Sequence, residues 1–127
     1  MQTLTEQLQK GNMIKTVSNS NGTATKFPDG TMICRKTVTF SNTAISSQRE
    51  SIYVSDILKL GNWAENFVET PDIAVAAVNG GWAAWLYQYT NYNATSAGTA
   101  TLARSVSTAA SSSANYHIGV IAIGKWK

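Results

Sequence analysis

The sequence predicts an all-β fold, a small antiparallel sandwich of about six strands, and three observations carry that expectation. Short runs rich in Val, Ile, Thr and Tyr recur between turn residues. Only 13% of residues are charged, too few for the Lys- and Glu-rich outer faces of surface helices. Two apolar segments alternate at the period of a strand. With 127 residues there is room for one domain and one core, burying roughly two-thirds of the unfolded surface.

Residues 1–12 are the exception. Met1, Leu4 and Leu8 recur at helical spacing until Gly11-Asn12 breaks the pattern. That marks a short helical or coiled-coil stub, or a linker, ahead of a sandwich spanning residues 13–127. The first residues lack the cationic start and apolar run of a signal peptide, and no stretch approaches the ~20 apolar residues of a membrane span. A soluble domain without membrane insertion is expected.

The strongest local signal is a hairpin. Thr23–Phe27 and Thr31–Phe40 flank Pro28-Asp29-Gly30, in which Pro presets φ and Gly accepts a positive φ. In the second arm Met32, Cys34, Val38 and Phe40 share a face that Lys36 interrupts. A polar loop from Ser41 to Arg49 leads to a strand over Ser51–Leu60. Trp63 and Phe67, four apart, fit one helical turn that tucks both rings under the sheet. Trp63 and Trp82 read as core.

After Pro71, Ile73, Val75 and Ala77 are placed inward, and Ala74, Ala76 and Val78 outward. Beyond Gly80-Gly81 come Trp82–Thr90 and Gly98–Val106, then a Ser/Ala-rich loop from Ser107 to Ala114. In the last strand Tyr116, Ile118, Val120 and Ala122 line one side, and His117, Gly119, Ile121 and Ile123 the other. A strand apolar on both faces is covered on both, and one small sandwich supplies one inner face. Ala74, Ala76, Val78, His117 and Ile121 are therefore placed at a subunit interface.

The chemistry points to binding. His117 stands alone, Cys34 is the only cysteine, and neither an intramolecular disulfide nor a thiolate metal cluster can form. Glu65, Glu69 and Asp72 read as solvated edge charges rather than metal ligands. No phosphate loop or nucleophile elbow occurs, so no catalytic residue, metal or cofactor is assigned. The net charge of +3 is scattered, without the basic stripe of a nucleic-acid surface. Trp85, Tyr87 and Tyr89 alternate along one strand, so all three rings are placed on one face. Such rings beside Asn, Ser and Thr suit a sugar, whose apolar C–H face stacks while its hydroxyls bond. Asn91, Tyr92 and Arg104 complete the candidate ligand site. Packing of the same rings in the core or between subunits is the alternative.

Asn19–Cys34, Trp63-x-x-x-Phe67, Glu69-Thr70-Pro71, Gly80-Gly81 and the close from His117 to Trp126 together resemble C-terminal domains of bacteriophage tail-fibre and tail-tip proteins. That resemblance covers most of the chain from Asn19 onward. It implies an H-type-lectin-like sandwich assembled as a homotrimer at a fibre tip on the virion. It also implies recognition of a host-surface glycan or other receptor, but transfers no sugar site residue by residue. A purely structural trimerisation cap and, more weakly, a polysaccharide hydrolase are the alternatives.

Overall fold

A computed structural model describes residues 13–41, 43–80, 84–107 and 115–127, without the side chains of 76, 77, 79 and 80. The expected helical stub over 1–12, Trp82 and the loop beyond Ser107 lie outside the described residues. Within them the fold is all-β, ten strands in two antiparallel sheets. The strands are β1 (Lys15–Asn19), β2 (Gly22–Lys26), β3 (Thr31–Phe40), β4 (Ile45–Arg49), β5 (Ile52–Ser55), β6 (Leu58–Lys59), β7 (Asp72–Gly80), β8 (Trp85–Thr90), β9 (Thr99–Arg104) and β10 (Tyr116–Lys125).

The first sheet runs β1-β2-β3-β10-β7. Its β2–β3 hairpin closes on the predicted turn: Asp29 accepts the Thr31 N–H at 2.8 Å, and Gly30 adopts φ +98°. That backbone bond holds the Asp29 carboxyl below its usual range. In the second sheet β4 pairs β5, and β5, β6 and β8 all pair β9. Because β5 and β8 both meet Ala103, and β6 and β8 both meet Ala100, β5 and β6 share one edge of β9 and β8 takes the other.

The core lies between the sheets. Met32, Cys34, Tyr116, Ile118, Val120 and Ala122 meet Ile45, Ala100 and Leu102, all at or near zero exposure. Each large apolar side chain contributes roughly 1.5–3 kcal/mol by burial. No disulfide helps: Cys34 is a free, buried thiol, its pKa raised by burial.

The segment between β6 and β7 departs from expectation. Trp63 and Phe67 are buried, with ring centroids 6.1 Å apart at 89°, yet no helical turn forms there. Backbone bonds from Trp63 to Thr95 and from Phe67 to Ala94 tie the segment, which bends at 64–65, to the β8–β9 loop. Trp63 Nε1 donates to the Asn93 carbonyl at 3.0 Å. Gly124 makes room for Phe67, since a Cβ there would lie 2.8 Å from its ring.

The expected strand over Ser51–Leu60 is two, broken at Asp56-Ile57, and the polar loop before it contains β4. The alternation predicted for β7 fails at Val78. Gly119 pairs Ala77 while Val120 pairs Val75, so the chain bulges and shifts phase by one residue. Ile73, Val75 and Val78 all pack on the core, and Val78 faces inward rather than outward.

Candidate functional site

On the second sheet β9 alternates regularly. Ala100, Leu102 and Arg104 face inward, and Thr99, Thr101 and Ala103 face out. Both strands beside it become irregular opposite the same two residues. On one edge β5 ends at Ser55 and β6 begins at Leu58, and Ser55 Oγ accepts the Leu102 N–H at 2.9 Å in place of a strand carbonyl. On the other, Leu86 pairs Leu102 and Gln88 pairs Thr101, which leaves Tyr87 as an extra residue. The two interruptions open the outer face over Thr101.

The result is a cleft of about 460 Å³, within the range of small-molecule sites. Ser47 and Arg49 from β4, Val54 and Ser55 from β5, Asp56-Ile57, Tyr87, Gln88 and Thr101 line it. Among the described residues the buried Thr101 hydroxyl meets no hydrogen-bond partner. A buried polar atom without a partner is uncommon in a folded protein. An adjoining cleft of about 670 Å³ shares Arg49 and Tyr87 and includes Gln48, Glu50, Ser51 and Ile52. Glu50, in the β4–β5 turn, has φ +56°, a conformation that side chains other than Gly seldom adopt.

The predicted rings divide at the Tyr87 bulge. Trp85 and Tyr87 stand on the outer face, 47% and 43% exposed. Trp85 lies across from Ala103, away from the core. Tyr89, expected beside them, turns inward because the extra residue reverses the alternation. It pairs Ala100, packs on the core and donates its hydroxyl to the Ala97 carbonyl. Burial, with a smaller effect from Tyr92, pushes its phenol up to about 12.

Tyr92 is 41% exposed and stacks on Tyr89 with centroids 5.5 Å apart. Asn91, at φ +62°, donates to Thr99 Oγ1 at 3.3 Å. Neither lines the clefts at Tyr87. Arg104 is a further correction: it is 7% exposed on the inner face of β9, paired with Tyr53, not presented to a ligand. Its charge tends to lower the buried Tyr116 phenol, whose pKa burial raises.

Of the expected interface, Ala74 is exposed and Ile121 half-buried on the outer face of the first sheet, with Ile123 49% exposed two residues on. His117 is also exposed there and shares a 2.8 Å hydrogen bond with Thr39 Oγ1. Val78 is inward, and the side chain of Ala76 lies outside the described residues.

The sequence reading missed Ser47, Arg49, Asp56, Gln88 and Thr101. They lie on three strands and a break, and no spacing in the chain joins them. Among the described residues no group of three or more His, Cys, Asp and Glu side chains could hold a metal ion. Comparison with models of known protein families, with curated proteins and with solved structures finds no match to this chain.

Proposed function

We propose that this domain is a receptor-binding module that holds a cell-surface glycan in the outer-face cleft beside Tyr87. One observation carries the reading. An exposed aromatic ring, Tyr87, lines one cleft with the polar side chains of Arg49, Asp56, Gln88 and Thr101, and among the described residues the Thr101 hydroxyl has no partner. A pyranose offers a C–H face to the ring and hydroxyls to the polar side chains. The resemblance of Asn19–Cys34 and the later segments to phage tail-fibre tips supports the same reading and adds a homotrimer at a fibre end. Glycosidases ordinarily act through a pair of carboxylates. Asp56 is the carboxylate of this cleft and Glu50 lines the adjoining one. Binding without hydrolysis is the proposal.

A single such site would have a dissociation constant near ~0.1–1 mM, about 4–5 kcal/mol, raised by effective concentration in a trimer. The test is adsorption of labelled protein to susceptible cells and to a glycan array. Tyr87→Ala and Arg49→Ala should each weaken binding about tenfold, with melting temperature unchanged because both side chains are exposed. Parental binding by both variants would remove the cleft from the function. Release of reducing ends from host polysaccharide would replace binding by hydrolysis.

A further inference from the structure

A second concavity is built around a buried cation. β2 pairs with β3 from Met32 to Arg35, so, among the described residues, residues 36–40 of β3 are paired on their β10 side alone. The β1–β2 turn (Asn19, Ser20, Asn21, Gly22) and the Lys59–Gly61 segment border this open edge and leave a cleft of about 510 Å³. Lys36 is in its wall, 8% exposed, on the same face of β3 as Met32 and Cys34. Its Nζ donates to the Asn62 carbonyl at 2.7 Å. An ammonium has three N–H donors, and among the described residues the other two meet no acceptor. Lys59 adds a second cation, and among the described residues no carboxylate lines the cleft.

A buried ammonium with one neutral acceptor is costly, and natural proteins keep such charges where an anion completes them. Burial lowers the Lys36 pKa, in keeping with a charge that this surface leaves under-compensated.

We propose that this cleft binds an oxyanion, the carboxylate of an acidic sugar or a phosphate group, with Lys36 and Lys59 as its cationic contacts. The site is separate from the outer-face cleft. Only its acidic-sugar form rests on the glycan reading.

The experiment is an amide-resolved NMR titration with glucuronate and with inorganic phosphate, against chloride at matched ionic strength. Saturable shifts at Gly22, Thr37 and Gly61 are expected with at least one oxyanion and not with chloride. Lys59→Ala, at an exposed position, should weaken binding about tenfold, and Lys36→Met should abolish it. If Lys36→Met fails to fold, Lys59→Ala decides alone. Tyr87→Ala should bind the oxyanion like the parent, so failure of the glycan cleft leaves this proposal standing. Response to glucuronate alone assigns an acidic sugar, and response to phosphate alone assigns a phosphate group. Absence of saturable shifts with either, or equal affinity in parent and Lys59→Ala, would overturn the proposal.

Discussion

Tyr89 and Arg104 show how burial reassigns a residue that looks like a ligand contact in the chain. Tyr89 hangs its hydroxyl on the Ala97 carbonyl beneath Tyr92. Tyr89→Phe should cost about 1–2 kcal/mol, read by chemical denaturation, and leave glycan adsorption unchanged. Burial pushes its phenol up from an ordinary 10.0 to about 12. The sign follows: its contribution to stability is complete below pH 10 and is lost as pH climbs from 10 toward 12. Denaturation midpoints should therefore fall over that window in the parent and fall less in Tyr89→Phe. Arg104→Ala removes a long side chain from the inner face. It should destabilise by about 2–4 kcal/mol while the folded fraction adsorbs normally. An unchanged melting temperature with weakened adsorption would return Arg104 to the ligand site.

The elements that matter are the irregular ones. One bulge in β7 brings Val78 onto the core, and another in β8 turns Tyr89 in and pushes Tyr87 out. The break between β5 and β6 faces the β8 bulge across β9, and that pairing makes the cleft. The β8–β9 loop is held by Asn93, whose Oδ1 accepts from Thr95 and Ser96 at 2.9 and 2.8 Å. Gly98 closes it at φ +88°, with the Thr90 carbonyl 2.5 Å from where a Cβ would lie. Gly98→Ala should cost at least about 1–3 kcal/mol in unfolding experiments, through backbone strain and that clash. Because Trp63 and Phe67 bond to this loop, the loss should appear as a single cooperative transition at lower denaturant.

At the scale of the whole molecule, the outer face of the first sheet presents Ala74, Ile121 and Ile123 without full cover among the described residues. The proposed homotrimer would bury that face. Sedimentation at micromolar concentration should give three times the 13.6 kDa chain mass, and Ile123→Lys should yield a folded monomer. A parent that sediments as a monomer would refute the assembly. Adsorption should drop with the trimer, since three weak sites act together through effective concentration.

Turn chemistry and alternation were legible in the chain because they are local. Pro28-Asp29-Gly30 required a hairpin, and the period of two in β10 placed Tyr116, Ile118, Val120 and Ala122 in the core whatever the rest of the fold did. The apolar character of Trp63 and Phe67 was legible too. Their conformation was not, since it depends on hydrogen bonds to a loop some 30 residues away, from Trp63 to Asn93. The faces of Val78, Tyr87 and Tyr89 were likewise beyond the sequence. A bulge is a mismatch in register between two strands, and it exists only once both strands are paired. The same reason governs the two clefts. The Thr101 cleft opens because both neighbours of β9 turn irregular at one level, and Lys36 is buried because Asn62 and the β1–β2 turn close around it. Local sterics determined which segments became strands. Tertiary pairing alone decided which side chains were left facing a ligand.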